Sequence, residues 1–272
     1  MLKCDRLTDS LKKNLNKLVA KHAKNNDKEI TKSAIVVFCA VLGLLFRLFY
    51  CLRYPVQPRD AYSYKILIEQ WERIGEIVDP ISFFPLSLWI MKIPHHLFHF
   101  SIFDSGIMVN IFLGILLIII SINIAMRLFK SNCVAFFVGC IIATHPALVA
   151  FSCSLLRENA YLLFSLLSLS ALLEYCRKRD LLHLVSASMC GALAFLCRLE
   201  GIEFLPIVFL MFIFLNLFKK IGLSKAFLHI FIFLTVFLST ATIVFWGLKL
   251  KMIESKDITS KIDKELTISL PQ

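Results

Sequence analysis

Five charged residues stand where an apolar chain makes charge expensive: Asp60, Arg157, Glu158, Arg198 and Glu200. Arg157-Glu158 opens one long apolar run, and Arg198-Leu199-Glu200 joins two others. Asp60 follows the first run, in Arg59-Asp60-Ala61-Tyr62-Ser63-Tyr64. A charge at membrane depth costs roughly 2.5–3.5 kcal/mol on insertion scales, so such groups face a cavity or pair with one another. The planar fork of arginine suits a phosphate. A carboxylate open to water can take a proton from a hydroxyl. These types point to a pocket in which Arg157 and Arg198 bind an anionic headgroup and Asp60 is a general base. Arg59, Tyr64, Glu158 and Glu200 are its expected lining. Arg47 and Arg53, near the end of the first run, are expected on the same side. The same groups also fit a plainer role, as ion pairs or side chains that reach from helix ends to the interface. Asp60 equally fits a helix N-cap.

The elements that must hold these residues follow from composition. The chain has 272 residues, of which 58% are hydrophobic and 18% charged, with a mean hydropathy of +0.76. Soluble domains are about 45–50% apolar with about 25% charge, so a soluble domain is excluded; disordered chains are poorer still in apolar residues. The expected class is an all-α polytopic membrane protein. Seven spans are expected, at 33–52, 107–126, 133–151, 159–175, 181–197, 202–218 and 226–248. Residues 53–105 form an outer loop, with an amphipathic helix over Tyr64–Ile77 whose apolar side carries Ile66, Leu67, Trp71 and Ile74. Residues 81–100 are broken by Pro85 and Pro94 and read as interfacial, since a span needs about 20 apolar residues.

Charge sets the orientation. The connections 127–132, 176–180 and 219–225 are short and basic, as cytoplasmic segments are. Residues 1–32 are a basic cytoplasmic arm, too long before the first run for a cleaved signal peptide. Residues 249–272 are an outer-side polar tail. This arrangement accounts for the net charge of +11 without a nucleic-acid partner; the surrounding partners are membrane lipids. The nine cysteines include no CxxC pair and read as small buried hydrophobes. No motif requires a cofactor. A divalent metal is one option for His95 and His99, which share a helix face at i, i+4; interfacial polar residues are the other.

A span with Leu45-Phe46-Arg47-Leu48 followed by Asp60-Ala61-Tyr62-Ser63-Tyr64 resembles the start of the multispan lipid-linked-sugar glycosyltransferases. It is most similar to glycosyltransferase family 39, which includes the protein O-mannosyltransferases and the aminoarabinose transferases. Ser82-Phe83-Phe84-Pro85-Leu86 resembles that family's juxtamembrane helix. His145-Pro146 with Ser154-Leu155-Leu156-Arg157-Glu158-Asn159, and Gly191 to Gly201 around Arg198-Leu199-Glu200, are similar to two further family segments. Two positions depart from the pattern: Ala61 stands where many relatives carry a second acid, and Leu199 where proline is common. The resemblance implies transfer of a sugar from a polyprenyl phosphate to a lipid or glycan acceptor outside the cytoplasm. It makes Asp60 the base, and Arg198, then Arg157, the contacts of the lipid phosphate. Most relatives carry further spans and an outer domain, so it implies a short member, in a bacterial inner membrane. A lipid-phosphate binding or transport protein and a degenerate homologue are the alternatives.

Overall fold

The computed structural model describes residues 31–54, 56–74, 85–218 and 221–268, with the backbone alone for 73–74, 85 and 249–268. Most of the basic arm, Ser82-Phe83-Phe84, Lys219, Lys220 and residues 269–272 lie outside the described residues. The described chain is helical, with no strand. A helix satisfies its backbone polar groups within itself, which an apolar solvent demands. The helices are α1 (Thr31–Arg53), α2 (Arg59–Ile74), α3 (Pro85–Phe98), α4 (Ile102–Phe129), α5 (Asn132–Thr144) and α6 (Pro146–Ser152). α7 (Glu158–Lys178), α8 (Leu181–Cys197), a 3-10 turn (Leu199–Glu203), α9 (Phe204–Leu217) and α10 (Leu223–Ile268) follow.

Boundaries fall where local chemistry sets them. Ser101 caps α4 by accepting from Asp104 N (3.1 Å), and Asp104 sits in the first turn, where the helix dipole favours a negative charge. Asp180 caps α8 in the same way, accepting from Leu182 N. α4 and α7 end on Lys130 and Arg179 in the left-handed region, at φ 52° and 59°.

All seven expected spans have a helical counterpart. Among the described residues, five helices are long and apolar enough to cross a membrane, and six if the bent pair α5–α6 is one span. The remaining counterpart, α8, is a shorter apolar helix of 17 residues. α5 and α6 meet at 56°, because Pro146 has no N–H to continue the ladder across His145. α10 continues past the expected end at 248, so the tail prolongs the last helix as far as Ile268.

Alternation of direction creates two ends. Arg127 of α4 and Lys178 of α7 both reach Glu174, at 3.3 Å each, so α4 and α7 run the same way. Their first residues lie at the opposite end. There Leu155, Leu156 and Ile102 pack with Ala61, Tyr64, Leu67, Ile68 and Trp71 of α2. Cys197, ending α8, and Leu248 of α10 reach that end as well, in a cluster with Leu86 of α3. Asp60, Arg157, Arg198 and Glu200 therefore share one end of the bundle.

Candidate active site

α2 positions two of the expected residues. It begins at Arg59, earlier than the expected Tyr64, and places Asp60 in its first turn. Asp60 and Tyr64 are four residues apart and share one face. The buried face of α2 is Ala61, Tyr64, Leu67, Ile68 and Trp71. The expected apolar side is thus rotated: Ile66 is exposed and Ile68 is buried. Tyr64 sits at the junction, since packing of Leu67, Ile68 and Trp71 against Leu155 and Leu156 brings it beside the start of α7.

Tyr64 is the hub. The Arg157 guanidinium lies over its ring, 5.7 Å from the centroid, a cation–π distance. Burial pushes the Tyr64 phenol above its ordinary value; Arg157 and Arg198 pull it down, and Glu158 and Asp60 push it up. Charges from α2, the start of α7 and the turn after α8 thus act on one oxygen. Arg198 Nη1 meets Glu158 Oε1 at 3.2 Å, and Arg198 Nε meets Glu200 Oε1 at 2.8 Å. Glu158 is therefore paired across the bundle with Arg198. Arg59 is exposed and is not among the four charges that act most strongly on Tyr64.

The Arg198 turn depends on a glycine. A Cβ on Gly201 would overlap the backbone of Phe195 and come within 2.6 Å of Ala194 C. Backbone cannot yield as a side chain can. Gly201→Ala is expected to cost about 1–3 kcal/mol or more through overpacking, seen as a lower Tm in detergent. Arg198 and Glu200 would shift with the turn, since Arg198 is its N-cap residue and Glu200 lies within it.

Arg47 lies toward the Arg53 end of α1, yet it is not in this pocket. It is fully buried. Its Nε donates to Ser152 Oγ (2.9 Å), and its Nη1 donates to the carbonyls of Gly43 (3.0 Å) and Ala143 (3.3 Å). The break at Pro146 opens the last turn of α5 and leaves the Ala143 carbonyl for this bond. Gly114 makes the space, since a Cβ there would meet Ser152 Oγ at 2.5 Å and Arg47 Nε at 2.6 Å. A chain of neutral groups continues toward the pocket. Asn159 Nδ2 donates to Ser152 Oγ (2.9 Å) and to the Asn110 carbonyl (3.0 Å). Asn110 Nδ2 donates to the carbonyls of Ser154 (2.7 Å) and Leu156 (2.8 Å).

Gln57 fixes the same loop from outside. Its Nε2 donates to the Cys153 carbonyl (3.1 Å), and its Oε1 accepts from Leu155 N (3.2 Å). The segment leading into Asp60 is thereby joined to the one leading into Arg157. Sequence reasoning missed Gln57, Asn110 and Asn159. Two amides within otherwise apolar runs were the available signal, because a buried amide needs partners.

The histidine pair does not survive as a metal set. α3 ends at Phe98, and His99 turns off its axis at φ 56°. His95 and His96 instead face Glu72 Oε1 of α2, at 3.5 and 3.7 Å, with Lys92 Nζ at 3.4 Å from that oxygen. Among the described residues no three His, Cys, Asp or Glu side chains converge to hold a metal.

No curated protein matches the chain significantly. The family model described as dolichyl-phosphate-mannose-protein mannosyltransferase matches residues 80–246, more than half of the chain. The match contains Arg157, Glu158, Arg198 and Glu200, and starts after Asp60 and Tyr64. The apolar helices make the chain an integral membrane protein; it belongs to the dolichyl-phosphate-mannose-protein mannosyltransferase family of membrane glycosyltransferases, which use sugars linked to polyprenyl phosphates.

Proposed function

We propose that the chain transfers a hexose or pentose from a polyprenyl phosphate to a hydroxyl of a lipid or glycan acceptor, on the non-cytoplasmic face of a bacterial inner membrane. The observation that carries the reading is the convergence of Asp60, Arg157, Glu158 and Arg198 on the Tyr64 phenol. An enzyme with a lipid-phosphate leaving group needs a base on one side of the sugar and cations on the other.

Asp60 is exposed, so it can meet an acceptor arriving from water. It takes the hydroxyl proton as the acceptor oxygen attacks the anomeric carbon. The bond from that carbon to the phosphate oxygen breaks, and a single displacement inverts the centre. The lipid phosphate leaves with added negative charge. Arg157 and Arg198 hold it, and fixed cations there stabilise the transition state without reorganisation. Glu158 Oε1 is held by Arg198, and its Oε2 is buried with no hydrogen-bond partner among the described residues; Glu158 fixes the position of Arg198 at the substrate. Glu200 orients Arg198. Three acids and two arginines would repel a phosphate without this ordering. Arg59 at the rim evens the count and draws the headgroup in.

The orientation rests on charge. Arg127, Lys130, Arg177, Lys178 and Arg179 cluster at the end of the bundle away from Tyr64. Short basic connections stay in the cytoplasm, which puts the pocket outside.

Membranes containing the full chain, given radiolabelled polyprenyl-phosphate sugars, are expected to move label to a glycolipid or glycan product. Donor binding without transfer from any donor would instead favour a lipid-phosphate binding protein.

A further inference from the structure

Four of the scattered cysteines come together in two pairs. The first joins α1 to α5, and the second joins α1 to the residue that caps the end of α6. Cys39 lies beside Cys140, and Cys51 lies beside Cys153. The first pair is inside the bundle: Cys39 is fully buried and packs among Ile118, Ile122, Ala135 and Ala143. The second pair is at the end that carries Asp60 and Arg157.

Independent contacts fix the second pair. Cys153 Sγ donates to the Arg47 carbonyl at 3.1 Å. That carbonyl lies one helical turn before Cys51, so the Cys153 side chain rests on the face of α1 that carries Cys51. Gln57 holds the Cys153 carbonyl at 3.1 Å and Leu155 N at 3.2 Å. Arg47 holds the neighbouring Ser152 Oγ at 2.9 Å. The backbone around Cys153 is thus pinned to the chain on both sides of Cys51. Cys51 is half-buried and Cys153 is buried.

We propose that Cys51 and Cys153 are a disulfide site, oxidised on the non-cytoplasmic side, which staples the end of α1 to the loop that presents Arg157 and Glu158. The inference takes only its orientation from the proposed function. Disulfides form and persist in oxidising compartments outside the cytoplasm. The oxidant is a disulfide of the compartment's thiol-exchange system. The half-buried Cys51 thiolate attacks it, and one thiol leaves. Cys153 then attacks the mixed disulfide at Cys51 Sγ and expels the second thiol. Two protein thiols become one S–S bond, and the external disulfide becomes two thiols. Cys39 and Cys140 stay reduced, because no aqueous oxidant reaches them in the apolar bundle. The staple constrains the unfolded chain across a long loop and fixes the spacing of Asp60 from Arg157.

The test uses the full chain. Cells are quenched with N-ethylmaleimide, and non-reduced peptides from their membranes are mapped by mass spectrometry. In parallel, reduced protein in detergent is incubated with oxidised glutathione. The expected result is a Cys51–Cys153 linked peptide in both preparations, with Cys39 and Cys140 recovered as thiols. Reductant should then lower the Tm of wild type by several degrees and leave Cys51→Ser unchanged. A link formed in detergent but absent from cells overturns the oxidised state in the cell, and with it the outer orientation, while leaving sugar transfer to its own assay. Free Cys51 and Cys153 in both preparations overturn the pairing. A wild-type Tm that ignores reductant overturns the stapling role.

Discussion

Replacing Asp60 with Asn is expected to slow sugar transfer about 10²–10⁴-fold at saturating donor, the usual range for loss of a general base. The carboxamide keeps the shape of the side chain but cannot accept the acceptor's proton. The effect should fall on kcat. Asp60 is exposed in the first turn of α2, so its removal opens no cavity, and the buried face of Ala61, Tyr64, Leu67, Ile68 and Trp71 stays packed. The lost favourable interaction with the helix dipole is worth about 0.3–1 kcal/mol, too little to unfold the helix. Donor KM should change little, because the proposed mechanism gives the phosphate to other residues. Asp60→Glu should recover part of the rate, since it restores a base at a shifted position. Radiolabel transfer in membranes, with protein quantified by immunoblot, measures all three.

Replacing Arg198 with Ala is expected to act on both parameters. Loss of one preorganised group that stabilises transition-state charge typically costs about 10²–10³ in kcat, and the ground-state phosphate is also held less tightly. Donor KM should therefore rise with the fall in kcat, unlike the Asp60 variant. Arg198 has a second task. It meets Glu158 at 3.2 Å and Glu200 at 2.8 Å, so Ala leaves two carboxylates facing each other. Arg198→Lys separates the tasks: an ammonium keeps the charge and loses the fork. Lys should hold the protein level near wild type and recover only a small part of the rate. Transfer rates over a donor titration and protein levels in the same membranes distinguish loss of charge from loss of the turn.

Much of this site was legible because its residues lie at helix ends. Arg157-Glu158 and Arg198-Leu199-Glu200 stand out where apolar periodicity stops, and the structure places them together. The i, i+4 relation of Asp60 and Tyr64 was not legible, because the expected helix began at Tyr64 while α2 begins at Arg59. What failed needed contacts distant in sequence. The bonds of Arg47 were not legible, because nothing local showed that Gly114, far along the chain, leaves room for a guanidinium against Ser152. The rotation of α2 toward Ile68 was set by Leu155 and Leu156. His95 and His99 kept their spacing but lost their shared face when α3 ended at Phe98. Ala61 has a structural account: it is fully buried in the α2 contact, where a second acid would face Leu155 and Leu156 rather than the pocket. The cysteine pairs follow the same rule, since each joins residues about a hundred positions apart.

The central claim divides the work at one pocket: Asp60 removes the proton and the arginines hold the phosphate. The measurement that tests it most directly is donor binding set against sugar transfer, in the same membranes, for wild type, Asp60→Asn and Arg198→Ala. Binding is read with a photoreactive polyprenyl-phosphate sugar and transfer with the radiolabelled donor. The account predicts that Asp60→Asn binds donor like wild type and transfers almost none, while Arg198→Ala is impaired in both. An Asp60→Asn protein that transfers sugar at the wild-type rate, or an Arg198→Ala protein that binds donor undiminished, would contradict it.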